Sequence, residues 1–312
     1  MSDDPFACFD ESDDEHDGVG ASPDNVAPTR DPECGVMSFH RGTEQSLLIF
    51  VRNHAAATTP EAVMKAVDDF CLQRHWMMHV GPAKSLQLTT FLHECVASRG
   101  SGRRFVLLEL GTYCGYSSIL WADTLQKLGI DFHVYTVEAN PEFIEVARGL
   151  IELSGLGSSI SVLHLDVLGK NQKLPDLLKA NNVSTLDFVF FDHDKDAYLD
   201  DLQELEKAKL VHSGVHVVAD NILFACIDNY RCYIQDLTER GIVQSRLEKG
   251  SLEYSEVEQK AASDPSLYED GIGKYCKCMH EFSTSNSSRE HRCCFHFIAA
   301  EFTIYVKDPG PS

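Results

Sequence analysis

The chain has 312 residues, a formal net charge of −21 and 43% hydrophobic residues, enough apolar content for a sizeable core in one catalytic domain with extensions. So acidic a chain argues against nucleic acid, whose phosphates need a basic face, and against anionic membranes as partners. No stretch approaches the ~20 consecutive apolar residues of a membrane-spanning helix, the acidic start is not a secretory signal, and eleven scattered cysteines suit reduced thiols in a cytoplasmic protein.

Residues 1–43 read as an acidic, disordered tail. Asp10, Glu11, Asp13, Asp14, Glu15 and Asp17 crowd together, with Pro23, Pro28 and Pro32 behind them. Such a stretch cannot bury enough apolar surface to offset the entropy of ordering it. From Glu44 to residue 312 the composition is that of a folded domain. Thr59-Pro60-Glu61 starts a helix, with Thr59 as its cap and Pro60 at the first helical position. A second helix is expected over 84–98. Short apolar runs then recur at 105–110, 132–137, 160–165, 186–191 and 215–219, with helix-like segments between them, one beginning at Asn140-Pro141. Strands alternating with helices predict an α/β fold, a doubly wound and mostly parallel sheet covered on both faces. Ligands of such sheets bind at the carboxyl ends of the strands. Beyond Glu253, segments 270–279 and 293–306 are strand-like, and 283–288 is a polar loop.

The first of these strands ends Glu109-Leu110-Gly111-Thr112-Tyr113-Cys114-Gly115-Tyr116-Ser117. A dinucleotide site would want Gly-x-Gly-x-x-Gly, and its absence argues against a nicotinamide dehydrogenase. The carboxylate of Glu109 beside the turn would repel phosphate but suit a cationic amino-acid group, such as the ammonium of S-adenosylmethionine. Glu138 at the end of the next strand is placed for ribose hydroxyls. Ordinary strand-terminating turns would look much the same. The fourth strand ends Asp192-His193-Asp194-Lys195-Asp196 and the fifth Ala219-Asp220-Asn221. Two carboxylates and an amide oxygen make a hard oxygen site with positions left for water and substrate, as Mg²⁺ prefers. Solvated strand ends are the alternative.

At these residues the sequence resembles the catechol O-methyltransferase family. The matching pieces are Trp76-Met77-Met78-His79-Val80-Gly81, Glu109 through Ser117, Val137-Glu138-Ala139-Asn140-Pro141, Asp192-His193-x-Lys195-Asp196, Ala219-Asp220-Asn221 and Ser251-Leu252-Glu253-Tyr254. The resemblance implies a Rossmann-like, class I methyltransferase fold and Mg²⁺-dependent transfer of a methyl group from S-adenosylmethionine to one hydroxyl of a small catechol-type substrate. The alternative acceptor is another vicinal-diol phenolic, such as a caffeoyl ester. It implies that Val80, Glu109, Gly111, Tyr113, Ser117, Glu138, Asp192 and His193 contact the cofactor, and that Asp192, Asp220 and Asn221 bind Mg²⁺. Lys195 would be the general base. Glu253 would hold the second hydroxyl, and Trp76 and Met78 would wall the pocket, with Lys195 and Asn221 also facing substrate. A non-enzymatic binding protein on this fold would be expected to lose Lys195 or a metal ligand.

The chain departs from the family pattern at three places. Asp194 stands where the family has tryptophan, Ala197 where it often has arginine, and Ala225 where it has proline. The segment 254–312 reads as a divergent C-terminal extension. Within it Cys276-x-Cys278-x-His280 and His291-x-Cys293-Cys294-x-His296 invite a zinc reading. Their spacing is not a standard zinc pattern, however, and residues two apart on a strand share a face whatever their type. Cys114 is read as a small filler within the cofactor turn, not as a nucleophile.

Overall fold

A computed structural model describes residues 29–30, 37–38, 42–75, 77–100, 102–165, 173–222, 227–250 and 298–310. Within the expected tail, β1 (Thr29–Arg30) and β2 (Met37–Ser38) pair with each other in an antiparallel ladder. The rest of 1–41 lies outside the described residues, as do Trp76, Ala225, Glu253 and the Cys/His motifs of 276–296. No helix among the described residues is long and apolar enough to cross a membrane.

Three helices precede the main sheet: α1 (Thr43–His54), α2 (Pro60–Gln73) and α3 (Gly81–Ser98). The start of α2 is the one expected, with the Ala62 N–H donating to Thr59 Oγ1 at 3.3 Å and Pro60 opening the helix. The alternation that follows is β3 (Phe105–Leu110), α4 (Tyr116–Lys127), β4 (Phe132–Glu138), α5 (Pro141–Leu153), β5 (Ile160–His164), α6 (Leu174–Ala180) and β6 (Phe188–Phe191). A 3₁₀ turn at Lys195–Ala197 leads into α7 (Tyr198–Lys207), then β7 (His216–Ala219) and α8 (Asp228–Glu239). Asn140 caps α5, accepting from the Glu142 N–H at 2.9 Å, with Pro141 in the first position.

The run Phe188-Val189-Phe190-Phe191 shows how an uninterrupted apolar strand is used. Phe188 and Phe190 enter the core beneath α1–α5, and Val189 and Phe191 enter the core beneath α6–α8. Side chains alternate across a strand, so a strand that is apolar throughout must be buried on both faces. Strand β3 divides likewise, with Phe105 and Leu107 on one side and Leu108 and Leu110 on the other.

The sheet has seven strands in the order β5-β4-β3-β6-β7-β9-β8, the last two being β9 (Ile298–Tyr305) and β8 (Val243–Gly250). Strands β5, β4, β3, β6 and β7 pair in parallel. Strand β9 is antiparallel to both β7 and β8. Residues 298–305, within the segment 293–306 expected to be strand-like, therefore lie inside the sheet. The order reverses between β3 and β6, which opens a crevice at their carboxyl ends. At the opposite edge Asp187 holds the strand starts together. It accepts the Val106 N–H at 2.9 Å, two bonds from Arg103 at 2.6 and 2.8 Å, and an ion pair from Arg99 Nε at 2.8 Å.

Candidate active site

The turn after β3 lies at the crevice. Gly111 has φ +98, and an added Cβ would collide with the Asp192 carbonyl. Only glycine lets the turn close so tightly on the neighbouring strand end, where the Asp192 N–H donates to the Leu110 carbonyl at 2.8 Å. Gly115, also left-handed at φ 86, begins α4 without a side-chain cap. The first-turn N–H groups of such a helix suit a carboxylate. Tyr113 has φ 47, in the left-handed region uncommon for a residue with a side chain. Two bonds hold it there: its N–H donates to Glu138 Oε2 at 2.8 Å and its hydroxyl to Glu44 Oε1 at 3.0 Å. Glu138 also accepts the Ala139 and Asn140 N–H groups at 2.9 Å each. Burial nevertheless pushes its carboxyl above the usual range.

Glu109 is fully buried. Its carboxylate accepts from Ser118 Oγ, from Thr136 Oγ1 at 2.6 Å and from Trp121 Nε1 at 3.2 Å. Being two residues from Leu107 on the strand, it shares Leu107's face, toward α4, and there it braces the first turn of that helix. Burial pushes its pKa up to about 7. Ser117, in the same turn, is buried. Val80 is buried at the head of α3 and Met78 is half-buried two residues before it. Cys114 is buried, which raises its thiol well above the ordinary value and supports the reading of a packed filler.

Two carboxylates stand at the ends of β6 and β7, and each carries a lysine. Lys195 Nζ donates to Asp192 Oδ1 at 2.8 Å. Lys84 Nζ, from the first turn of α3, donates to Asp220 Oδ2 at 2.7 Å, in an ion pair whose side chains are only 5% and 1% exposed. Burial and the nearby Asp220 raise the Asp192 pKa, against the pull of Lys195. Asn221 has φ 58. With its amide nitrogen toward Asp220, it donates to Oδ2 at 2.6 Å and Oδ1 at 3.1 Å, which leaves its amide oxygen as a further hard donor. No cluster of three or more His, Cys, Asp or Glu side chains occurs among the described residues, so a metal held here would need Asn221 beside the two aspartates. Two carboxylates and an amide oxygen, in a pocket whose acids already attract ammonium groups, fit Mg²⁺ by donor chemistry.

Behind this pair lies Tyr198, fully buried. Its hydroxyl donates to the Phe191 carbonyl at 2.8 Å, with the Asp220 carbonyl at 3.1 Å, and accepts from Lys195 Nζ at 2.7 Å. His193 stacks on the Tyr198 ring, with centroids 5.0 Å apart at 21°, and its Nε2 lies 2.7 Å from Asp201 Oδ2. Its Nδ1 is buried with no partner among the described residues. Asp194 is exposed and caps the 3₁₀ turn, accepting the Asp196 N–H at 3.2 Å.

The structure thus gathers Gly111, Tyr113, Glu138, Asp192, His193, Lys195, Asp220 and Asn221 at one edge of the sheet. Lys84, Tyr198 and Glu44 were not anticipated. A lysine inside an otherwise apolar helical stripe was the one signal for Lys84, and nothing local marks the other two.

A model of the O-methyltransferase family matches residues 54–230. The bovine catechol O-methyltransferase is 36% identical over 193 residues, 62% of this chain and 66% of that protein. The catechol O-methyltransferase B of Danio rerio is 31% identical over 228 residues, 72% of this chain and 80% of its own length. Among solved structures, the O-methyltransferase TomG of Streptomyces achromogenes, in complex with S-adenosylmethionine, superposes with a TM-score of 0.50 at 14% identity, over 82% of this chain and 95% of that one. At that identity the likeness concerns the fold.

Proposed function

The chain belongs to the O-methyltransferase family, and we propose that within it this protein transfers a methyl group from S-adenosylmethionine to one hydroxyl of a catechol-type substrate, with Mg²⁺ and in a cytoplasmic setting. The observation that carries the reading is the placement of Lys195 against Asp192, one strand from Asp220, beside the Gly111 turn. Asp192, Asp220 and Asn221 would hold Mg²⁺, which when bound lowers the pKa of a coordinated hydroxyl. Val80, Glu109, Gly111, Tyr113, Ser117, Glu138, Asp192 and His193 would surround the cofactor, the source of an activated methyl group; Glu109 also supports the turn from beneath through Ser118 and Trp121.

Lys195 takes the proton of the reacting hydroxyl at Nζ. Glu253 would hold the second hydroxyl and so select which oxygen faces the methyl group. Buried Val80 and half-buried Met78 exclude water from a transfer in which opposite charges cancel, so a dry and aligned site favours it, and Trp76 would wall the same pocket. Asp194 is an exposed turn cap where the family has a large flat side chain, and Ala225 replaces a proline. Both changes remove apolar wall and favour bulky or extended polyphenols over bare catechol.

The test is a methyl-transfer assay over simple catechols and extended polyphenols, with Mg²⁺ or EDTA. EDTA abolishes turnover, Mg²⁺ restores it, and extended acceptors show the lower Michaelis constants. Asp220→Ala loses activity but still binds S-adenosylmethionine. Full activity in EDTA would remove the metal reading; failure of every vicinal diol would remove the acceptor class.

A further inference from the structure

We propose that Tyr198 is a positioning residue that aims the proton-accepting direction of Lys195. The inference rests on Lys195 being the general base. Lysine is a flexible stem ending in a point charge with rotatable donors, and left alone it samples many rotamers. Here the side chain is 26% exposed on a three-residue turn, so packing alone does not fix it. Two acceptors do. Nζ donates to Asp192 Oδ1 at 2.8 Å and to Tyr198 Oη at 2.7 Å.

The direction of the second bond is settled by the tyrosine. A phenol has one proton, and that of Tyr198 is turned to the Phe191 carbonyl at 2.8 Å, with the Asp220 carbonyl at 3.1 Å. Only its lone pairs face Lys195. The two carbonyls belong to the ends of the neighbouring strands β6 and β7, so the phenol oxygen is tied to the same backbone that carries both candidate metal ligands. The ring is clamped by His193 at 5.0 Å, Phe191 at 5.5 Å and Tyr230 at 5.9 Å.

The nitrogen of an amine is tetrahedral. At Nζ one direction is the bond to Cε, one points to Asp192 and one to Tyr198. A neutral amine has two N–H groups and one lone pair. With both N–H groups on those acceptors, the lone pair occupies the fourth direction, and the substrate proton is taken up there. The step is a proton transfer only: the hydroxyl O–H bond breaks, its electron pair stays on oxygen, and an N–H bond forms at Nζ. Without the phenol oxygen one N–H loses its acceptor and the lone pair loses its aim.

The experiment is a double-mutant cycle on the full chain with Mg²⁺ and S-adenosylmethionine, using catechol as the acceptor. Tyr198→Phe keeps the ring and its stacking and removes only the hydroxyl. It is expected to lower kcat on the order of tenfold to a hundredfold, as misplacement of a reacting group does. The Michaelis constant for S-adenosylmethionine, its calorimetric affinity and the Mg²⁺ activation midpoint stay unchanged. In a Lys195→Met background the same substitution is expected to cost nothing further. An unchanged kcat in Tyr198→Phe, or an equal loss in both backgrounds, overturns the proposal, because the tyrosine would then not act through Lys195. If Tyr198→Phe does not fold, 3-fluorotyrosine at position 198 keeps the shape and weakens the acceptor. A graded fall in kcat confined to the Lys195 background supports the inference, and no fall overturns it. Lys195→Met by itself reads the underlying assignment. A wild-type rate there means that the base is another group, whereas a loss on the order of 10²-fold with an unaffected Tyr198→Phe removes the positioning role alone.

Discussion

Glu109 shows how one carboxylate changes meaning with its surroundings. At the end of β3, beside the glycine turn, it is buried beneath α4 with its oxygens on Ser118, Thr136 and Trp121. Burial lifts its pKa from 4.5 to about 7. Between these values the folded protein keeps a proton that the unfolded chain releases, so this group's contribution to stability is largest at low pH and falls as pH rises toward 7. Glu44, raised to about 6, acts in the same direction over a narrower window. Glu109→Gln cannot ionise, so its melting temperature relative to wild type should become more favourable between about pH 5 and about pH 8. Parallel melting profiles for the two proteins would show that Glu109 does not titrate in that range.

At the scale of elements, the β3–α4 turn decides whether the cofactor side of the crevice exists. Gly111 and Gly115 are both left-handed, but their surroundings differ. An added Cβ at Gly111 runs into the Asp192 backbone, whereas at Gly115 it meets the Ala147 side chain at 3.3 Å. Gly111→Ala must therefore move a strand end, and Gly115→Ala mainly strains one φ angle. Gly111→Ala is expected to cost about 2 kcal/mol or more and to weaken S-adenosylmethionine binding, with Gly115→Ala the milder of the two. Denaturant melts and calorimetry of both variants check the order. Equal stability of Gly111→Ala and wild type would mean that the turn is not closed against β6.

For the molecule as a whole, the charge of −21 is unevenly distributed, with a dense acidic block ahead of residue 18. The short pair β1–β2 forms a sheet of its own, separate from the seven-stranded one. No site residue precedes Glu44. Deleting residues 1–40 is therefore expected to leave kcat within about twofold, since the segment carries none of the residues assigned to the site. A collapse in rate or solubility, measured on the truncated protein beside the full chain, would show that the segment packs on the domain.

Neighbouring residues suffice to specify much of this architecture. The run 105–110 becomes β3 residue for residue, because five apolar side chains around Glu109 lie between the charged Arg104 and the left-handed Gly111. Asn140-Pro141 starts α5 through a cap that needs only the next two residues. Parallel strands bring their carboxyl ends to one edge, so Asp192, Asp220 and Asn221 were legible as a group before any distance was known. Tertiary packing decides the rest. Strand β8 is polar and lies at the sheet edge, where the strand pattern is weakest, and its place next to β9 depends on pairing across the 47 residues between Gly250 and Ile298. Lys84 reaches Asp220 across 136 positions of sequence. Tyr198 finds the Asp220 carbonyl only because β6 and β7 are adjacent. Such contacts follow from how helices and strands pack in space, and no local spacing encodes them.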